Sequence, residues 1–427
     1  MQMNSPDTME STKSVHIQNA TGPAEVELIK TRDSYRLLVN KEPFFIKGAG
    51  LEYGNIGSLA EHYGNSFRTW RTDNGVQSAR EILEEARRNG LMVCMGLDIG
   101  RERHGFNYDD DIQVQEQFER VRSEVEELKD HPALLMWGIG NELNLRYTNP
   151  KVWDAVNDIS EMIHEVDPNH LTTTSLSGIF KKELKHIAER CPDLDLLSFQ
   201  LYGNLPILPG LVRKFGYTGA YIVSEWGATG HWEVPQTSWG APIEENSTEK
   251  AEKYLERYKT AIASDPAQCV GSFVFLWGDK QERTPTWYGM FLESGEATET
   301  VDVMHFLWSG SWPENRAPRI ISFKLNGKVA KEDIHLNINQ SYPARIELAV
   351  FTNKPLSYRW EVLPESTDLK EGGDPEEKPE AIMYAIREEN ENEAILNVPR
   401  AGNFRLFVYA VDSDNRAATA NIPFKVI

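Results

Sequence analysis

Two glutamates close runs of apolar residues in this chain, and such a pair of carboxylates carries more chemistry than any other feature of it. Glu142 ends Trp137-Gly138-Ile139-Gly140-Asn141-Glu142, and Glu225 follows Tyr221-Ile222-Val223-Ser224 and precedes Trp226-Gly227. A charge at the end of a buried strand is expensive to desolvate unless partners surround it. Two of them, brought together from separate strands, are what cleavage of a glycosidic bond requires: one protonates the leaving oxygen, the other acts at the anomeric carbon or on water. The plainer alternative is that each glutamate merely opens a surface loop. One glutamate alone fits that alternative; two in the setting below do not.

That setting is an alternation of short apolar strands and amphipathic helices from Pro43 onward. Strands are predicted at Phe44–Gly48, Ser66–Trp70, Leu91–Leu97, Leu134–Ile139, Leu171–Ser175, Leu196–Leu201, Ala220–Ser224 and Val270–Trp277. Between them, Val114, Phe118, Val121, Val125 and Leu128 recur at helical spacing, as do Val152, Val156, Ile159, Ile163 and Val166. Ala251, Tyr254, Leu255, Tyr258 and Ile262 form a third stripe, with Ser247 or Thr248 as its cap. Eight strand-helix units in about 265 residues predict an α/β fold, a (β/α)8 TIM barrel. Residues 1–23 read as a disordered lead, and Glu25–Ile29 and Tyr35–Val39 as a hairpin plugging the barrel bottom.

The alternation breaks at Ser311-Trp312-Pro313 and Arg316-Ala317-Pro318. Strand-like runs follow at Ile320–Leu325, Ile334–Ile338, Ala344–Phe351, Tyr358–Val362, Ala394–Val398, Phe404–Ala410 and Ile422–Ile427. They predict a C-terminal immunoglobulin-like β-sandwich. The expected domains are a catalytic barrel with its hairpin over 24–312 and the sandwich over 319–427. The sandwich holds no cysteine, so Trp360 must pack without a disulfide. It offers no carboxylate pair at strand ends and reads as a structural or positioning module. The acidic, glycine-rich stretch 364–380 reads as a solvated loop, with calcium binding as the alternative.

On this reading Glu142 ends the fourth barrel strand and Glu225 the seventh, on the face where such barrels build their sites. A separation of ~5–5.5 Å would suit retention of configuration and ~6.5–9.5 Å inversion. At these residues the chain resembles the clan A glycoside hydrolases, retaining enzymes on (β/α)8 barrels. Their acid/base follows an Asn at the end of strand four, and their nucleophile ends strand seven; the matches are Asn141-Glu142 and Glu225. The resemblance implies an arginine after strand two, matched by Arg68, and an aromatic hydroxyl after strand six, matched by Tyr202. It also implies a tryptophan closing strand eight, matched by Trp277, and it spans roughly residues 43–310. Glu225 is then the nucleophile, held ionised by Arg68 and Tyr202. Glu142 is the acid/base with a raised pKa, and Asn141 bonds the sugar 2-hydroxyl. The aromatic residues Trp70, Trp232, Trp239 and Trp287 are expected to stack on sugar rings.

The barrel phrases resemble the catalytic domain of glycoside hydrolase family 2, which includes β-galactosidases and β-glucuronidases. Those enzymes place further domains before the barrel. A barrel with a trailing immunoglobulin-like domain is similar instead to family 158, whose known activity is endo-β-1,3-glucanase. The resulting expectation is a retaining endo-β-1,3-glucanase working by double displacement. An exo-acting family 2-like β-galactosidase or β-mannosidase type and a non-catalytic glycan-binding barrel are the alternatives.

Composition agrees with a neutral polysaccharide or oligosaccharide partner. With 65 acidic against 45 basic residues the chain carries −20, which disfavours nucleic acid and anionic membranes. Cys94, Cys191 and Cys269 are too scattered for a disulfide framework or a zinc site and read as buried thiols. No Gly-Lys-Ser phosphate loop, His-Glu-x-x-His pair or Gly-x-Ser-x-Gly elbow occurs, so neither metal nor organic cofactor is expected. The polar opening shows no signal peptide and no apolar run approaches a membrane span. A soluble monomer is expected, cytoplasmic if Met1 is the natural start and otherwise periplasmic or secreted.

Overall fold

The computed structural model describes residues 17–427 apart from Thr352. Eight parallel strands close into a barrel in the order β10-β11-β4-β5-β6-β7-β8-β9. They are β4 Ile46–Gly50, β5 Ser66–Arg68, β6 Met92–Leu97, β7 Leu134–Asn141, β8 Leu171–Ser177, β9 Leu196–Gln200, β10 Tyr221–Trp226 and β11 Cys269–Val274. Every residue of β5, β6, β9, β10 and β11 is buried, which is why these segments read as continuous apolar runs rather than alternating ones. The helices α1 Ile56–Glu61, α2 Ala79–Arg88, α3 Asp111–Leu128, α4 Lys151–Val166, α5 Lys181–Arg190 and α6 Leu208–Phe215 fall between the strands up to β10. Asp110 caps α3 by accepting from Ile112 and Gln113, and a Ser78/Glu81 capping box starts α2.

The predicted hairpin is the sheet of β1 Val26–Lys30, β2 Tyr35–Val39 and β3 Glu42–Pro43. It bonds to chain leading into barrel strands: Val26 N donates to Asn169 O (2.9 Å), Tyr35 N to Ala267 O (2.8 Å) and the Tyr35 hydroxyl to Thr218 O (2.9 Å). These segments precede β8, β11 and β10, so the hairpin covers the N-terminal end of the barrel. The expected disordered lead needs correction. Its residues 1–16 lie outside the described ones, but Ile17 is fully buried and Gln18 O accepts from Arg87 Nη1 (2.6 Å) at the end of α2.

Contacts divide the chain differently from the expected boundary between 312 and 319. One unit runs to Trp226 and adds Thr260–Val274; it holds all eight barrel strands. The other takes Gly227–Lys259 and Phe275–Ile427. It therefore combines the segments leaving β10 and β11, the helices α7 Ser247–Arg257 and α8 Glu299–Ser309, and the C-terminal sheets. One sheet has the order β12-β20-β19-β16 with β14 also on β20; the other has the order β13-β15-β18-β17. Their ranges are β12 Ala297–Thr298, β13 Arg319–Leu325, β14 Ile334–Leu336, β15 Tyr342–Ala349, β16 Leu356–Pro364, β17 Ile386–Asn390, β18 Glu393–Leu396, β19 Gly402–Asp412 and β20 Arg416–Val426. A core of Leu325, Ile346, Trp360, Leu406, Val408 and Phe424 lies between the sheets, and Trp360 packs without a disulfide, 5.9 Å from Phe323. The three cysteines are free and buried elsewhere.

The second unit explains two misreadings. Asn246, not Ser247 or Thr248, caps α7. Those two hydroxyls instead accept from the sandwich, Ser247 Oγ from Thr419 N (3.0 Å) and Thr248 Oγ1 from Ile320 N (2.9 Å). The stretch 364–380 is not simply a solvated loop either. Glu376 is buried and takes Arg283 Nη1 (2.7 Å) and Arg283 N (2.6 Å), while Lys280 Nζ donates to Gly373 O (2.7 Å).

Candidate active site

Four strand ends bring the predicted polar residues together. Arg68 closes β5, Asn141 closes β7 with Glu142 just beyond, Gln200 closes β9 with Tyr202 two residues on, and Glu225 sits near the end of β10. Register shifts occur in β7 against β8 between Gly138 and Asn141, and in β10 against β9 between Val223 and Glu225. Such irregularities at a barrel rim re-aim side chains. Glu142 itself has φ +52°, a left-handed conformation that costs a non-glycine residue of order 1–3 kcal/mol. Its backbone is pinned there by Glu142 N donating to Ser175 O (2.9 Å). Gly140, at φ +72°, makes the turn before it. Gly96 in β6 lets the chain after Arg68 approach closely, since a Cβ there would lie 2.5 Å from Thr69 O.

Arg68 is the buried hub. Its Nη1 donates to Ser224 O (2.9 Å) and reaches Glu225 Oε2 (3.4 Å), and its Nη2 donates to Asn141 Oδ1 (2.7 Å). The guanidinium lies 4.7 Å from the Trp70 ring centre, and Trp70 keeps part of its surface open. The Tyr202 hydroxyl donates to Glu225 Oε1 at 2.6 Å. Glu225 thus has a cation on one oxygen and a short charge-assisted bond on the other. A buried carboxylate held in this way is spared the penalty of an unpaired charge.

Glu142 sits in a contrasting environment. The residue keeps some exposed surface while its carboxyl is desolvated. Burial, and after it the negative charge of Glu225, push its pKa from 4.5 up to about 7, against a hydrogen bond with Ser177 and the charges of Arg103 and Arg68. One carboxyl is therefore poised to carry a proton near neutrality, beside another bound by donors, and that asymmetry is what divides acid from nucleophile in a carboxylate pair.

Sequence reasoning missed Gln200, Ser177 and Arg103. Gln200 could have been found from strand phase, because alternation in β9 puts it on the same face as Ser198, whose hydroxyl pairs with Thr173 (2.8 Å). Ser177 and Arg103 left no comparable signal. One expected stacking platform needs correction. Trp287 is only 1% exposed, with its indole N donating to Thr229 O (2.9 Å), so it leaves no face for a sugar. Trp239 meets His335 edge-on at 5.4 Å and keeps part of its surface open. Trp277 is fully buried, against Phe291 and Trp308, in the second unit. Trp232 is 59% exposed. Among the described residues no cluster of His, Cys, Asp and Glu could hold a metal ion, and no helix is long and apolar enough to cross a membrane.

No curated protein matches the chain. Residues 81–206 match the family model of glycosyl hydrolases family 2, TIM barrel domain. The structure is similar to a β-glucuronidase of Bacteroides uniformis, at 14% identity over 94% of this chain and 48% of that one, with a TM-score of 0.51. A putative β-galactosidase from Bacteroides fragilis gives 11% identity over 94% and 57%, with a TM-score of 0.51. A glycoside hydrolase family 5 mannosidase from Rhizomucor miehei gives 13% over 66% and 96%, with a TM-score of 0.50. The chain spans about half the length of the β-glucuronidase it resembles. The 94% coverage is too broad to leave the C-terminal sheets out, so the likeness is not confined to the barrel. The family match over residues 81–206 and the shared fold make this barrel similar to the TIM barrel domain of glycosyl hydrolases family 2.

Proposed function

We propose that the chain is a retaining β-glycosidase in which Glu225 is the nucleophile and Glu142 the acid/base. The observation that carries this is the contrast between the two carboxyls: Arg68 and Tyr202 grip Glu225, while burial raises Glu142 to about 7. Ionised Glu225 attacks the anomeric carbon as Glu142 passes its proton to the leaving oxygen. Esterification then removes the negative charge beside Glu142, so its pKa falls and it can take a proton from water in the second step. Asn141, fixed by Arg68, is suited to bond the 2-hydroxyl where charge develops.

The finer expectation of internal cleavage of β-1,3-glucan leaned on tryptophan platforms and on domain order. One platform, Trp287, is packed away, and the broad likeness to a β-glucuronidase weakens the argument from order. The exo-acting family 2-like reading is therefore the better supported one. Endo action on β-1,3-glucan stays as a second reading because Trp232 is exposed and Trp70 and Trp239 are partly so. Proton NMR of the first-formed product on a panel of aryl β-glycosides and β-glucans tests both levels. A β-anomer formed first supports retention, and an α-anomer overturns it. Monosaccharide alone in the first minutes supports exo action; mixed oligosaccharides support the endo reading.

A further inference from the structure

Gln200 is buried at the end of β9, between the two carboxyl environments, and no role in the reaction has yet been given to it. With its amide nitrogen turned to Glu142, that nitrogen lies 2.9 Å from Glu142 Oε1, and its oxygen lies 2.7 Å from Arg68 Nη1 and 2.7 Å from Asn141 Oδ1, an oxygen–oxygen contact bridged by the Arg68 guanidinium, whose Nη2 donates to Asn141 Oδ1 (2.7 Å). In the opposite orientation the nitrogen would reach Asn141 Oδ1 (2.7 Å). It would then oppose the Arg68 donor at the same distance and turn an oxygen on Glu142. The first orientation answers a buried cation with an acceptor and an ionised carboxylate with a donor, so it is the one the charges select.

We propose that Gln200 is a positioning residue that donates to ionised Glu142 and fastens it to the Arg68 guanidinium, favouring the base form needed in the second half of the reaction. The proposal rests on the double-displacement reading, in which Glu142 must act as acid and then as base. The groups facing Glu142 set the balance. Glu225 from β10 and burial itself oppose ionisation; Ser177 from β8, Arg68 from β5 and Arg103 from the segment after β6 favour it. Gln200 adds a donor from β9 on the favouring side. It touches neither the reacting carbon nor the leaving oxygen in this scheme, and acts through Glu142 alone.

The test is the titration of Glu142 itself, which needs no turnover and so is independent of whether the enzyme retains or inverts. In protein carrying carboxyl-13C glutamate, the Glu142 signal is identified by its loss in Glu142→Gln. Gln200→Met keeps an unbranched buried side chain and removes the amide. The Glu142 midpoint is expected to rise by about one pH unit, the scale of one lost hydrogen bond to a charged group. The alkaline limb of kcat/KM should move up with it, and the glycosyl-enzyme should accumulate as a larger burst at neutral pH. An unmoved or lowered midpoint, with activity reduced evenly at all pH values, would mean that Gln200 only fills space and would overturn the proposal. Should the methionine variant not fold, Gln200→Asn withdraws the amide by one methylene and is read in the same way. An α-anomer from the wild type would sink the double-displacement reading and leave this titration result standing.

Discussion

Replacing Glu225 with glutamine removes one negative charge facing Glu142 and keeps the volume of the side chain. Glu142 is raised from 4.5 to about 7 by desolvation first and by Glu225 second. The variant cancels only the second cause, so the pKa must fall while staying above the ordinary value. At the ~5–5.5 Å that a retaining pair requires, two unit charges at an effective dielectric of about 20 interact by ~3 kcal/mol, or ~2 pH units. The introduced amide remains a dipole that can turn its oxygen or nitrogen to Glu142, so the expected fall is about 1–2 units. The sign follows directly, since an ionised Glu142 no longer meets a like charge. The assay is the carboxyl-13C titration of Glu142 in the wild type and in Glu225→Gln. A midpoint that stays put or rises would show that the two carboxyls do not form one electrostatic site, and the division of roles would fail with it.

Three further outcomes follow from the packing. Tyr202→Phe removes the donor 2.6 Å from Glu225 Oε1 and should lower kcat/KM by ~10–100-fold, the worth of one charge-assisted bond, with an unchanged circular dichroism spectrum. Arg68→Met strands the Glu225 charge and should cost ~3–5 kcal/mol in urea unfolding, much of it recovered when Arg68→Met is combined with Glu225→Gln. Trp287→Ala empties a fully buried site and should cost ~3–5 kcal/mol, seen as a lower Tm. A selective loss on long glucans at unchanged Tm would restore Trp287 as a sugar platform.

The barrel was legible because its strands are buried on every side and its helices are not. Continuous apolar runs such as Met92–Leu97 and Cys269–Val274, set against stripes such as Val121, Val125 and Leu128, leave little choice of element type. The polar cluster was legible for a related reason. A carboxylate ending an apolar strand is out of place unless it has partners, and Arg68, Asn141 and Tyr202 also lie at strand ends. What escaped were features set by chain partners distant in sequence. The amide of Gln200 reads as one more residue of β9 until Arg68 and Glu142 stand beside it. Ser247 and Thr248 look like helix caps until Thr419 and Ile320 claim their hydroxyls. Aromatic residues in glycine- and proline-rich loops look exposed, but Trp287 is enclosed by its own unit. The sandwich, read from sequence as a structural or positioning module, holds chain that leaves β10 and β11: Arg405 Nη2 donates to Pro242 O (2.8 Å), and Glu376 clasps Arg283. Removing residues 319–427 is therefore expected to strip the segments 227–259 and 275–312 of these partners and open them to proteolysis, as limited digestion of the truncated chain would show.

Chemical rescue separates the two glutamates most directly. Glu225→Ala should lose several orders of magnitude in kcat on every substrate, because both chemical steps need the nucleophile. Azide should restore turnover by direct displacement and give an α-glycosyl azide from a β-glycoside. Glu142→Ala should be spared on aryl glycosides with good leaving groups, which need no proton, and its azide product should be the β-glycosyl azide. An α-azide from Glu142→Ala with a β-azide from Glu225→Ala would reverse the assignment, and an α-azide from both would contradict double displacement altogether.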